Sequence, residues 1–367
     1  MIYQGDALAY IMETPDILFY ILENQNKIFK DSMEFLKDKN ISEIYLAGSG
    51  SSFYGASAAC LVLQRILGIR VFAVTPVPFL QSICFSDKDA LFLGISQQGT
   101  SSAVIHTMDE MRRNKRMVIS VTGEYDTEIT RHGDVNLYVE CGYEDAGATT
   151  KGYTATVFTL FLFGLLLARQ QGKLSQQEYS QYQQQLKKII FNMKYVLERS
   201  GDWASVTAEK LKGAEELLLL AGGNQSDLML EGVLKFSETC RFPVRGYEAE
   251  DFMHGIYNAV GPQTQFLYLF PSMSGEQAAL EKLYGYYKNK GNIQYTINRP
   301  GDEWSGCFVN DRDFSILEFA LPLQMLFVLT SRKRGIDLNI PRDPEFHKYM
   351  GSKLEKGREN LCQRQEE

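Results

Sequence analysis

The chain has 367 residues, of which 44% are hydrophobic and 23% charged, with a formal net charge of −7. This composition is ordinary for a folded globular protein of one to three domains, and the acidic balance argues against nucleic acid as the main partner. Six scattered cysteines, none in a Cys-x-x-Cys pair, favour free thiols in a reducing cytoplasm over a disulfide framework or a zinc site.

The first predicted unit is an N-terminal helical arm, residues 1–39. It lacks the basic and apolar pattern of a signal peptide. Residues 7–39 carry an apolar stripe at helical spacing, interrupted at Thr14-Pro15. Pro15 fits the first turn of a second helix, and Thr14 fits its N-cap.

Five short apolar segments separated by helical patterns predict a parallel, doubly wound sheet in residues 40–170. The predicted strands are Glu43–Ala47, Arg70–Val74, Ala90–Ile95, Arg116–Val121 and Val135–Val139. The longest apolar run, Val157–Ala168, is too short to span a membrane and is typical of a core helix. A Gln-rich segment with helical spacing, residues 169–189, predicts a surface helix that connects two domains through residues 171–200.

A second α/β unit is predicted in residues 201–340, followed by a polar tail, residues 341–367. Its predicted strands are Glu216–Leu220, Phe266–Phe270, Ile293–Ile297 and Phe314–Phe319, and its last helix is Pro322–Ser331. Two motifs of the first half recur at one offset of about 175 residues: the one ending in Gly50 recurs at Gly223, and the one from Ser96 to Gly99 recurs at Ser272 to Gly275. The chain is therefore predicted to be a duplication with two five-stranded sheets.

Two serine-rich turns of the first half, Gly48–Ser52 and Ser96–Ser102, predict an anion site. Each follows a parallel strand and precedes a helix, so it offers unpaired N–H groups and the positive end of a helix dipole. Gly50 and Gly99 allow close approach of the backbone. The chain has no dinucleotide-binding glycine fingerprint and no Gly-Lys-Ser/Thr motif, which disfavours nucleotides. One such turn is commonly only a helix cap, but two at neighbouring strands favour a phosphate.

The stretch Glu231–Gly255 combines groups suited to proton transfer. Lys235 and Glu238 are three apart on a helix that must end before Pro243, so they project from one side. His254 follows among acidic residues, in a chain with four histidines. Alone, such a pair is usually a solvated ion pair. Beside a phosphate site, it predicts acid–base chemistry.

These motifs resemble the phosphosugar-binding segments of sugar isomerase (SIS) domains. The whole pattern, from Glu13 to about Lys348, resembles the two tandem SIS domains that form the isomerase half of glucosamine-6-phosphate synthase. The resemblance implies an α/β fold with two flavodoxin-like sheets and a sugar phosphate ligand, without a metal or other cofactor. It implies phosphate contacts from Ser51, Ser52, Ser96, Gln97, Gln98 and Ser101, and sugar contacts from Ala148, Thr149 and Glu144.

The segment from Glu231 to Glu238 also resembles the catalytic helix of that family. The resemblance implies that Glu238 moves a proton between C1 and C2 of the sugar. It also implies a homodimer, in which His254 opens the ring of the sugar bound in the neighbouring subunit. Three features depart from the family pattern. Ile256 replaces the proline after His254-Gly255, Asp251 replaces a glutamate, and Lys348 lies two residues later than the family's Schiff-base lysine.

The sequence therefore predicts a cytoplasmic enzyme acting on a 6-phosphorylated amino sugar or fructosamine. We expect a deglycase, with Lys235 or Lys348 assisting, because no glutaminase segment precedes the first SIS pattern and stand-alone tandem-SIS proteins resemble fructosamine-6-phosphate deglycases. The same residues also suit an aldose–ketose isomerase or an amino-sugar-phosphate deaminase. A non-catalytic sugar-phosphate sensor remains open because of Ile256. No nucleic acid or membrane partner is expected.

Overall fold

A computed structural model describes residues 3–82, 86–271 and 274–354. Ser272 and Met273, which belong to the predicted repeat, and Cys84 and Cys362 lie outside the described residues. Within the described part, the chain forms two parallel sheets flanked by helices. The α/β class predicted from the sequence is confirmed, whereas the predicted domain boundaries stay a prediction.

The first sheet has five parallel strands in the order β2-β1-β3-β4-β5. The strands are β1 Glu43–Ala47, β2 Arg70–Val74, β3 Ala90–Ile95, β4 Met117–Thr122 and β5 Val135–Tyr138. The first three match the predicted bounds, β4 is shifted by one residue at both ends, and β5 ends one residue earlier than predicted. Because β1 and β3 are hydrogen-bonded neighbours, the loops that follow them leave the same edge of the sheet side by side.

The second sheet has four parallel strands in the order β7-β6-β8-β9, so the prediction of five strands was wrong. The strands are β6 Leu217–Ala221, β7 Val244–Glu248, β8 Gln265–Leu269 and β9 Gln294–Ile297. Strand β7 was missed because it is an edge strand of mostly half-buried residues without an apolar run.

The predicted strand Phe314–Phe319 was also wrong, because Ile316 begins a helix that continues to Lys333. Nearly all of that helix is buried, including Pro322. A segment buried on every side shows a continuous apolar run without helical periodicity, so its sequence does not distinguish helix from strand.

The described helices surround both sheets. In chain order they are α1 Ala7–Glu23, α2 Gln25–Ile28, α3 Lys30–Leu36, α4 Ser51–Leu67, α5 Pro76–Leu80, α6 Ser102–Arg113, α7 Lys151–Gln170, α8 Gln176–Leu211, α9 Ser226–Cys240, α10 Ala249–Met253, α11 Ser274–Asn289, α12 Ile316–Lys333 and α13 Phe346–Met350.

Helix α1 is continuous, so the predicted break at Thr14-Pro15 was wrong. Thr14 lies inside the helix, and its hydroxyl donates to the Tyr10 carbonyl at 2.9 Å instead of capping a new helix. The proline is tolerated because Thr14, Pro15 and Leu18 are buried against neighbouring helices, which stabilise the segment. The N-terminal helices therefore pack on the body of the protein through α7, α8 and α12.

The largest apolar cluster fills a helical layer between the two sheets, where α4, α7, α8, α9 and α12 pack on one another. Two smaller apolar clusters cover the outer faces of the sheets, one cluster on each sheet. Helix α7 is long and apolar enough to span a membrane, but its whole apolar window is buried inside the protein, as expected of a core helix. Helix α4, which follows the serine-rich turn Gly48–Ser52, packs against α9, the helix that carries Lys235 and Glu238. The two halves of the chain therefore meet at these segments.

Candidate active site

The two serine-rich loops lie at the carboxyl edge of the first sheet. The backbone of Gly50 has φ +56° at the start of α4, and Gly99 has φ +65° in the loop before α6. A β-carbon on Gly99 would lie 2.0 Å from the Thr127 hydroxyl, so the loop conformation requires glycine there. Ser52 is half-buried in the first turn of α4, and Ser96 is 7% exposed beneath its loop.

Gln97 faces the protein interior. Its side-chain amide donates to the Cys141 sulfur at 2.8 Å, and its side-chain oxygen accepts from the Thr156 hydroxyl at 3.2 Å. The Ser101 amide donates to the Ser96 hydroxyl at 3.4 Å, which fixes the shape of the loop. Gln97 therefore links the loop to α7, and the role of the loop toward a phosphate stays a prediction.

The third predicted segment precedes α7. Ala148 is buried, Thr149 is half-buried, and Glu144 caps the helix. The Glu144 carboxylate accepts from the Thr150 amide and hydroxyl at 2.8 and 2.7 Å, and from the Lys151 and Gly152 amides at 3.0 Å each. A carboxylate with four donors at a helix N-terminus is held rigidly. Glu144 thus positions this segment, and its role toward a sugar stays a prediction.

Helix α9 places an ammonium and two carboxylates next to the first loop. The Lys235 ammonium donates to Glu238 at 2.8 Å, and the Ser51 hydroxyl donates to Glu231 at 2.8 Å. Lys235 has 5% of its side chain exposed, whereas Glu238 has 42%, so the carboxylate is accessible to solvent. Burial acts to lower the pKa of Lys235, but Glu238, Glu231 and Glu144 outweigh it and hold that pKa above its ordinary value.

Glu231 was not singled out as a site residue from the sequence, although its spacing of four from Lys235 puts both on one helix face. Burial raises the pKa of Glu231 from 4.5 to about 7, against the opposing effects of Lys235 and the Ser51 hydrogen bond. One of its carboxylate oxygens is buried without a hydrogen-bond partner. The group is therefore balanced between its neutral and charged forms near pH 7.

This titration predicts a pH-dependent stability. Because the folded state favours protonated Glu231, its stabilising contribution is fully present below pH 4.5 and is lost as the pH rises toward 7. Glu231→Gln lacks the titration and keeps an acceptor for Ser51. Relative to the wild type, we expect the free energy of unfolding of this variant to be about 2 kcal/mol larger at pH 8 than at pH 5, because only the wild type loses stability over that range. Urea unfolding at both values checks this, and parallel pH dependence of the two proteins would contradict it.

The structure does not bring His254 to this cluster. The imidazole is at the end of α10, its side chain is 73% exposed, and it pairs with Glu250 at 3.1 Å. No contact between His254 and the Lys235–Glu238 pair occurs within the described ranges. Met253 and Tyr257, its near neighbours in the chain, are 42% and 51% exposed.

Lys348 lies on α13, and its side chain makes no hydrogen bond or ion pair with the part of the chain that the structure describes. Its role as a catalytic lysine stays a prediction. Lys353 instead reaches the second serine-rich loop, where its ammonium donates to the Gln98 side-chain oxygen at 3.3 Å. The separation of 255 residues between the two explains why no local sequence signal revealed the contact.

Two further residues lie in the electrostatic field of Glu238. Burial lowers the pKa of His347, Lys353 lowers it further, and Glu238 opposes both. Burial raises the pKa of Tyr3, and the Glu238 and Asp145 charges raise it further. Tyr3 and His347, near the two ends of the described chain, therefore both lie close to Glu238, which sequence patterns did not indicate.

Comparison with known proteins agrees with this geometry. The SIS domain model matches residues 36–166, which contain the first sheet and both serine-rich loops. The isomerizing glutamine–fructose-6-phosphate aminotransferase of Pyrobaculum aerophilum is 25% identical over 312 residues, which are 82% of this chain and 50% of the relative. The chain thus spans about half the length of the curated relatives it matches, such as this one.

Two solved structures share nearly the whole fold. A protein of Clostridium difficile 630, provisionally assigned as a phosphosugar isomerase, has a TM-score of 0.87 and 28% identity, with 96% of this chain and 99% of that chain covered. A provisionally assigned sugar-binding protein of Salmonella typhimurium LT2 has a TM-score of 0.77 and 31% identity, with 88% and 99% covered. The likeness therefore includes both halves of the chain.

Proposed function

Because the chain belongs to the SIS-domain family, we propose that it is an enzyme that acts at C1 and C2 of a 6-phosphorylated fructosamine or amino sugar. The reaction that we propose is the deglycation of a fructosamine 6-phosphate. The observation that carries this proposal is the Lys235–Glu238 pair on α9. The same helix is hydrogen-bonded to Ser51 of the first serine-rich loop.

The proposed route uses the residues in fixed roles. The serine-rich loops hold the phosphate through amides and hydroxyls. Glu238 removes a proton from C1, next to the C2 carbonyl, and delivers a proton to C2, while the N–H proton of the amine passes to the C2 oxygen. The ketose amine thereby becomes a C1 imine. Water then adds to the imine and the amine leaves, giving a 6-phosphorylated aldose. Lys235 holds the Glu238 carboxylate in place and balances its charge.

The charge of the site supports an amine-bearing substrate over a plain ketose. The carboxyl groups of Glu144, Glu231 and Glu238 all raise the pKa of Lys235. A substrate ammonium near C1 would likewise be stabilised by the carboxylates of this cluster, whereas the hydroxyl of a ketose would not. The phosphate, by contrast, meets uncharged donors in the two loops.

We propose that the protein is a homodimer in which His254 completes the partner's site as the ring-opening acid. Support comes from its exposure and from the exposed apolar residues Met253 and Tyr257 beside it. Exposed methionine and aromatic side chains are enriched at protein interfaces. The reduced state of the described cysteines suits the cytoplasm.

The direct test incubates purified protein with fructosamine 6-phosphates, glucosamine 6-phosphate and fructose 6-phosphate, and measures amine and sugar products by NMR. We expect fructosamine 6-phosphates to yield free amine and an equimolar aldose 6-phosphate. Isomerised sugar without amine would instead support an isomerase, and ammonia from glucosamine 6-phosphate a deaminase. Tight binding of sugar phosphates without any turnover would contradict catalysis and support a sensor.

A further inference from the structure

The end of the described chain lies across the second serine-rich loop. The Leu354 amide donates to the Thr100 carbonyl at 2.8 Å, and Ser101 and Lys353 form an antiparallel bridge. The Ser102 hydroxyl donates to the Gly351 carbonyl at 2.8 Å. Residues distant in sequence are therefore fixed against the start of α6, at the loop expected to hold a phosphate.

The other end of this segment is attached to the catalytic helix. The Arg241 guanidinium, in the residue that follows α9, donates to the Ile340 carbonyl at 3.2 Å. Residues 340–354, which we call the strap, thus run from the Glu238 end of α9 to the start of α6. The strap has internal structure, because the His347 ring and the Ser352 hydroxyl are hydrogen-bonded at 2.9 Å and Gly351 ends α13 in the left-handed region.

The strap supplies a charge that the loops lack. The predicted phosphate ligands are hydroxyls, amides and neutral side chains, and the whole chain has a net charge of −7. Lys353 donates to Gln98, which belongs to the predicted phosphate loop. Of the lysine and arginine side chains that the structure describes, no other is hydrogen-bonded or ion-paired with residues 96–102.

We infer that Lys353 is a cationic ligand of the substrate phosphate, delivered to the loop by the strap. The inference rests on the proposed function, because it assumes that the loop holds a phosphate. The ammonium is within hydrogen-bond distance of the Gln98 side chain, so a phosphate at the α6 N-terminus would replace or share that weak 3.3 Å contact. A charge-assisted hydrogen bond to phosphate is roughly twice as strong as a neutral one, which makes Lys353 selective for the phosphorylated sugar.

The test measures binding of glucitol 6-phosphate and of unphosphorylated glucitol by calorimetry. We expect Lys353→Gln to weaken binding of glucitol 6-phosphate roughly 10- to 100-fold and to reduce its salt dependence. Lys353→Arg keeps the charge and should stay within about threefold of the wild type. Lys30→Gln, an exposed lysine on α3, serves as the matched control and should bind like the wild type.

Each outcome of these binding measurements either supports or overturns the role of Lys353. Equal affinity of Lys353→Gln and wild type for glucitol 6-phosphate would overturn the inference. An equal loss in the Gln and Arg variants would also overturn it, because docking of the strap rather than charge would then explain the effect. If the wild type itself bound glucitol 6-phosphate no better than glucitol, the proposed function would fail as well, and the two failures are thereby distinguished.

Discussion

Replacing Glu238 with glutamine is expected to lower the turnover of a fructosamine 6-phosphate by about 10³-fold or more, while sugar-phosphate binding stays within about threefold of the wild type. The amide keeps the size of the side chain and an oxygen that accepts from Lys235, but it cannot remove a proton from C1.

The measurement is a steady-state assay of amine release, together with calorimetry of glucitol 6-phosphate binding on the same samples. Glu198→Gln, an exposed carboxylate on α8, is the matched control and should keep full activity. A parallel loss of turnover and binding in Glu238→Gln would show that the carboxylate holds the substrate, and would count against its role as proton shuttle.

Mixing two inactive variants is expected to restore activity if His254 serves the partner's site. Glu238→Gln and His254→Asn should each be inactive as homodimers. After subunit exchange, about half of the dimers are mixed, and each mixed dimer contains one site with both intact residues. Activity should therefore recover to about one quarter of the wild-type level. Donation across the interface is expected because His254 is exposed and has only Glu250 as a described side-chain partner.

The assay follows amine release as the two purified variants are mixed in varied ratios. A mixture of Glu238→Gln with the control His254→Asn/Glu238→Gln double variant should stay inactive, because no intact site can form. Persistent inactivity of the single-variant mixture would contradict donation across the interface. Attention would then move to His347, which lies on the strap of its own subunit within the field of Glu238.

Local patterns were sufficient for the first sheet and for the helix that carries Lys235 and Glu238. The strands β1, β2 and β3 combine apolar side chains with turn residues at their ends, and this signal is contained within a few residues. The spacing of three between Lys235 and Glu238 likewise determines that both project from one side of a helix, and the structure shows them hydrogen-bonded.

The remaining errors lie in segments whose secondary structure or position is determined by tertiary contacts. Ile316 and its neighbours form a helix because they are buried on all sides, which removes the periodicity that distinguishes a helix from a strand. Edge strand β7 has little apolar content because only part of it is buried. The approach of Lys353 to Gln98 depends on the path of the strap, and no spacing rule connects residues so far apart in the chain.

The most direct test of the central claim is to run the reaction in D₂O and to locate deuterium in the released aldose phosphate by NMR. Glu238 is partly exposed, so the proton that it carries exchanges with solvent before it reaches C2. We predict that amine release by the wild type is accompanied by deuterium at C2 of the sugar product. Release of amine together with fructose 6-phosphate, a sugar that has gained no hydrogen at C2, would contradict the proposed transfer of a proton by Glu238.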